Sequence, residues 1–216
     1  MKNKRTLIWV IGAILTWMAI AFQFYIVLQA WELPLGMKLL RFFTFFTIIG
    51  NLTAALYFTS SLLHLPASWS PFFIKTGSST AITAYIIYVS IGYHLLLQDA
   101  WDPQGLQWYT DKLLHLVNPI FIVLYWSFFV EKKQLHWKMI PRWLVLPISY
   151  YCYVLLLMEG FGIQHPYPFL NIDEFGYPQV ILVGIAGALA IALLGAGLIL
   201  AAKLYVQKSK GIVANQ

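Results

Sequence analysis

From residue 6 to residue 205 the chain is a succession of apolar runs, each close to the length of a membrane span, joined by short links. About 20 apolar residues cross the hydrocarbon core of a bilayer as a helix. Backbone at that depth must satisfy its own hydrogen bonds. The expected fold is therefore all-α: one polytopic membrane domain over 1–216, with six transmembrane helices at about 6–30, 38–64, 79–98, 109–130, 140–158 and 179–205. Composition agrees, since only 10% of residues are charged, against about 25% in a soluble domain. The lone Cys152 rules out an internal disulfide and a multi-cysteine metal site. The basic start Met1-Lys2-Asn3-Lys4-Arg5 leads into a run too long for a signal-peptide core, so it reads as an uncleaved first helix.

The links carry the punctuation. Pro34 and Gly36 break the first link, and Pro66 and Pro71 end the second span. Ser78, Ser79 and Thr80 are placed to cap the third. Pro147 falls inside the fifth as an expected kink. The longest loop, 159–178, is rich in proline, glycine and aromatic residues. In the sixth span Gly184, Ala188, Ala192 and Ala196 form a ridge of small residues that lets a neighbouring helix approach.

Charge fixes the expected orientation. With both termini cytoplasmic, Lys2, Lys4, Arg5, Lys75, Lys132, Lys133, Lys138, Arg142, Lys203, Lys208 and Lys210 lie inside, and only Lys38, Arg41 and Lys112 lie outside. That asymmetry follows the positive-inside rule. It also accounts for the net charge of +6 without a nucleic-acid partner. In this topology Thr44, Thr47, Tyr93, His94 and His115 belong to the outer half, with Thr44 and His115 at similar depth on different helices.

The polar residues inside the spans are the candidates for chemistry. In Arg41-Phe-Phe-Thr-Phe-Phe-Thr-Ile-Ile-Gly-Asn51, the positions Thr44, Thr47 and Asn51 share one face of a continuous helix. A threonine in a membrane helix commonly bonds back to its own backbone, and a buried asparagine is commonly interhelical glue. His115, in Leu113-Leu-His-Leu-Val-Asn-Pro119, is an intramembrane ionisable group and so a site candidate. Asn118 and Pro119 loosen the backbone beside it. Asp111 precedes His115 by four residues, so it either orients the imidazole or sits among headgroups. A hydroxyl with a histidine is the pairing of nucleophilic acyl transfer. There is no Gly-x-Ser-x-Gly elbow and no His-Glu-x-x-His metal motif, so neither a metal nor a cofactor is expected for that chemistry. A competing reading pairs His94 with His115 and His64 with His136, as in six-helix haem-bearing electron carriers. His64 and His136 lie at a helix end and in a charged link, too superficial for axial ligands. A transporter would need an acidic residue at mid-membrane, and none falls there.

The stretches around Arg41–Asn51 and Leu113–Pro119, together with His165-Pro-Tyr-Pro-Phe-Leu-Asn-Ile-Asp-Glu-Phe-Gly176, give the chain a resemblance that covers nearly its whole length. It resembles the bacterial relatives of the androgen-induced, androgen-dependent TFPI-regulating membrane protein family. The animal members are intramembrane threonine hydrolases of fatty acid esters of hydroxy fatty acids. The resemblance implies Thr44, after Arg41-Phe42-Phe43, as nucleophile and His115 as base. Thr47 and Asn51 depart from the animal pattern, which leaves Thr47 open as the nucleophile. The resemblance thus implies a lipid-ester hydrolase of the bacterial inner membrane acting on an acyl-ester or membrane-lipid partner. The alternative is a non-catalytic lipid-binding or haem-binding membrane protein.

Overall fold

The computed structural model describes residues 2–30, 32–64, 77–100 and 102–214. Pro66, Pro71 and Lys75 lie outside the described residues. Among the described residues the fold is all-helical, with no strand. The elements are α1 (Lys2–Ala30), α2 (Leu35–Phe42), α3 (Phe46–Leu62), α4 (Ser78–Leu96), α5 (Leu106–Lys112), a π-helical turn (Leu113–Val117), α6 (Asn118–Phe129), α7 (Ile140–Phe161) and α8 (Ile172–Ala214). Helix α1, helix α4, the α5–α6 run, helix α7 and helix α8 are each long and apolar enough to cross a membrane. The pair α2–α3 makes a sixth span only if counted as one, because its halves meet at 81°.

Helix α4 is the axis of the bundle and packs against α3, α6 and α8, while α7 pairs with α8 and α1 with α3. It is also the candidate span with the largest share of buried residues. Thr80, Thr83, Tyr85 and Tyr93 can therefore line an interior instead of facing lipid. The Thr80 hydroxyl accepts from Trp126 Nε1 at 3.0 Å, and the Tyr85 hydroxyl donates to Trp143 O.

Several expectations are revised here. The second span is not one helix, so Thr44, Thr47 and Asn51 do not lie along one continuous face. The third span has no side-chain cap from Ser78–Thr80; Gly77 in the left-handed region (φ 92°) precedes it, a conformation glycine adopts without a Cβ clash. The run Ile172–Ala214 is interrupted by non-helical backbone at Gly176, so its long segment starts close to the expected 179 and ends later than expected, at Ala214. The ridge on α8 also departs from strict four-residue spacing. Close approaches occur at Gly184, where an added Cβ would fall 2.4 Å from the Tyr151 ring, and at Gly195, where it would fall 3.1 Å from Trp143. Between them Ile191 is buried. Steps of four residues alone drift around a 3.6-residue helix, and a step of three restores the face.

Candidate active site

Two backbone interruptions build the site. The first parts α2 from α3 at residues 43–45. Thr44 is fully buried, and its hydroxyl donates back to Arg41 O at 2.7 Å, closing the end of α2. Breaking a helix in an apolar bundle exposes carbonyls and amides that need partners. Tyrosines supply them: Tyr153 donates to Leu40 O at 3.0 Å and Tyr150 to Thr44 O at 2.6 Å. The Phe46 N–H, at the start of α3, donates to the Tyr167 hydroxyl at 2.9 Å. The break therefore places Thr47 in the first turn of α3.

The second interruption is the π-helical turn that holds His115. Proline has no N–H, so Pro119 leaves His115 O without its usual helical donor. Ser90 on α4 supplies one through its hydroxyl at 2.8 Å. The Asn118 N–H reaches back to Leu113 O, which widens the turn. Such π-bulges recur at functional sites.

The two interruptions meet. Thr47 Oγ1 lies 3.4 Å from His115 Nε2. On its other side, His115 Nδ1 lies 3.1 Å from Asp111 Oδ1 and 3.1 Å from Asp111 O. Both of those partners are acceptors, so Nδ1 donates toward Asp111, and in the neutral ring Nε2 is then the nitrogen with a lone pair for Thr47. Asp111 is 1% exposed and packed beside the imidazole. Its other oxygen accepts from the Tyr93 hydroxyl at 2.7 Å, and the Tyr93 ring stacks on the imidazole at 3.9 Å and 7°. Asn51 Nδ2 donates to Thr47 O at 2.9 Å, and Asn118 Nδ2 donates to Asn51 Oδ1 at 2.8 Å, tying α3 to α6 beside the pair.

Of the residues singled out from sequence, the fold thus brings together Thr47, His115, Asp111, Asn51 and Asn118. It does not direct the Thr44 hydroxyl at His115. His94 is exposed, and its Nδ1 pairs with Ser90 O at 2.7 Å. The Tyr93 ring meets both His94, edge-on, and His115, face-on, while both His115 nitrogens face the partners just given. The Tyr93 ring thus lies against both imidazoles. Among the described residues, no group of three or more His, Cys, Asp or Glu side chains is placed to hold a metal ion.

Sequence reasoning passed over Tyr93 as a member of the site, and Tyr167 altogether. Tyr93 differs from other interior tyrosines only by its depth next to His94. Tyr167 lies in the aromatic, proline-rich stretch that had already been singled out, but only the fold shows it entering the bundle. Burial holds the Tyr167 phenol above its ordinary range, against the opposing pull of the Phe46 N–H and of the Thr47 side chain and N–H. One wall of a cavity of about 510 Å³ is formed by Thr47, Tyr93 and Tyr167. The rest is mostly hydrocarbon and aromatic rings from α4, α7 and α8, including Leu144, Ile148, Leu155, Ile181 and Ile191. The lining residues run from 144 to 155 on α7, which at helical rise is about 16 Å.

Compared with known protein families, characterised proteins and solved structures, the chain has no match.

Proposed function

We propose that the protein is an intramembrane hydrolase of lipid esters, with Thr47 as nucleophile and His115 as general base. The observation that carries this reading is the succession Thr47 Oγ1, His115 Nε2, His115 Nδ1 and Asp111 Oδ1, with Thr47 lining an apolar cavity. A 3.4 Å contact is long for a hydrogen bond, but catalytic pairs commonly tighten once substrate is bound.

In the proposed reaction Thr47 Oγ attacks the ester carbonyl carbon, and His115 Nε2 takes the hydroxyl proton. Asp111 holds the ring in the required tautomer and stabilises the imidazolium, as the third member of such triads does. The carbonyl oxygen becomes an oxyanion. The Tyr167 phenol, which lines the cavity beside Thr47 and accepts from the Phe46 N–H, is the donor we assign to it. Collapse expels the alcohol, which takes the proton from His115 and leaves an acyl group on Thr47. Water then attacks, His115 again moves the proton, and the fatty acid leaves. The cavity suits the acyl chain, since hydrocarbon walls with a few convergent polar groups are the usual form of a ligand site.

The motif resemblance points to the same reaction, and the charge asymmetry supports a site in the outer half of a bacterial inner membrane with both termini inside. Identifying the residue modified by a fluorophosphonate probe tests the assignment. Modification of Thr47, lost in His115→Ala, is expected. Protein that stays unmodified and cleaves no lipid ester would favour a non-catalytic lipid-binding role for the cavity.

A further inference from the structure

At the opposite end of the helices from the tyrosine-lined break, α6 stops and the chain turns through residues 130–133. A second hollow, of about 570 Å³, opens there between the first turns of α1, the end of α6 and the later turns of α8. Arg5, Lys132 and Lys133 contribute three cations to its lining, and Glu131 contributes a single anion. Ser127 and Ser209 add hydroxyls.

The charges in this hollow are held differently. Lys132 is 9% exposed and spends its donors on carbonyls: Trp126 O at 3.0 Å, Ser127 O at 2.8 Å and Val130 O at 3.2 Å. Its ammonium also lies 4.9 Å from the Trp126 ring and 5.3 Å from the Tyr205 ring. It is thus a fixed positive charge at the end of α6, where it covers the negative pole of the helix. Arg5 and Lys133 are exposed, so their donors are available to an anion. The Glu131 carboxylate accepts from the Lys133 N–H at 3.1 Å.

The rim is apolar where it faces outward. Phe128 is 76% exposed and Tyr205 63% exposed. In a membrane-spanning bundle such rings lie against acyl tails. A hollow with surplus positive charge, the exposed Ser209 hydroxyl and a hydrocarbon-facing rim at the end of the apolar runs matches an amphiphile with a phosphate head. We infer that this hollow binds the headgroup of an anionic phospholipid, with the tails running along Phe128. Basic pockets between membrane helices hold such headgroups by charge and hydrogen bonding.

The test uses the full chain in nanodiscs of phosphatidylcholine containing a minor fraction of phosphatidylglycerol, with the lipid retained after gentle detergent extraction measured by native mass spectrometry. Phosphatidylglycerol should be retained at least about fivefold over its share of the bilayer. The double variant Arg5→Gln/Lys133→Gln should lose that enrichment while keeping its melting temperature. Lys203→Gln changes a cation outside the hollow and should keep the enrichment. Equal enrichment in the double variant, or loss of enrichment in Lys203→Gln, would show a diffuse surface charge and overturn the proposal. Displacement of the lipid by millimolar inorganic phosphate would assign the hollow to a soluble anion and overturn it as well. None of these readings depends on ester cleavage.

Discussion

The two helix interruptions that meet at the site have opposite origins. The π-helical turn at His115 is written locally: Pro119 removes a backbone donor, and the turn rearranges around that loss. The break between α2 and α3 contains no proline and no glycine at residues 43–45. It exists because tyrosines on α7 and in the loop before α8 satisfy what it exposes. The first interruption belongs to its own helix, whereas the second is imposed by distant parts of the chain. The placement of Thr47 therefore depends on contacts more than 100 positions away, while that of His115 depends on its own turn and on Ser90 and Tyr93 of the neighbouring α4.

The largest effect should come from separating the two threonines. Thr47→Ala is expected to lower ester cleavage on the order of 10⁵-fold or more, as losses of triad nucleophiles do. Thr44→Ala removes only a hydroxyl turned back to Arg41 O and should cost activity a few-fold, about what a modest loss of order produces. A dead Thr44→Ala beside an active Thr47→Ala, in the same kinetic assay, would reverse the roles. Next comes Asp111→Asn, which keeps the shape but undoes the tautomer preference at His115. Cleavage should fall by about 10³- to 10⁴-fold with little change in KM.

Pro119→Ala restores a donor for His115 O and so competes with Ser90. A straightened turn would shift the imidazole, and a displacement near 1 Å costs about 10²-fold in rate. Its melting temperature should hold or rise, because alanine is the better helix former. The other interruption should respond in the opposite sense. Tyr150→Phe leaves Thr44 O without its phenol donor, so the protein should lose about 1–3 kcal/mol of stability, the cost of an unsatisfied buried acceptor. Thermal unfolding in detergent reads both variants. If Pro119→Ala destabilised and Tyr150→Phe did not, the contrast between local and imposed interruptions would be wrong.

The same contrast explains what the sequence made legible. Apolar run length was enough for an all-helical, span-bearing fold. His115 stood out because an imidazole among leucines is costly in lipid, and Asp111 because four residues bring it beneath that ring. Asn51 and Asn118 were each readable as buried amides, though not as partners. Thr44 was read on one face with Thr47 because nothing in Arg41-Phe-Phe-Thr-Phe-Phe-Thr marks an end to the helix. Helical periodicity was the wrong ruler across a break, and the break is stabilised by Tyr150, Tyr153 and Tyr167. Those tyrosines look like ordinary interior aromatics until the fold brings them to α2 and α3.

The position of these tyrosines in the chain bears on the order in which the protein is made. Leu40 O and Thr44 O are partnered by residues 113 and 106 positions later, and the Phe46 N–H by one 121 positions later. While the ribosome is still completing α6, none of those partners has been synthesised. A bend at residues 43–45 would then leave bare peptide groups in hydrocarbon, which is strongly unfavourable. We expect the second apolar run to enter the bilayer as a straight rod and to bend only after α7 and the following loop arrive. Spin labels at Met37 and Ser60 would report this as a long separation in chains arrested at residue 139 and a shorter one in the full chain. An equally short separation in the arrested chain would place the bend before its partners. On that expectation, the hydroxyl of Thr47 reaches His115 only once α7 and the tyrosine-bearing loop are in place.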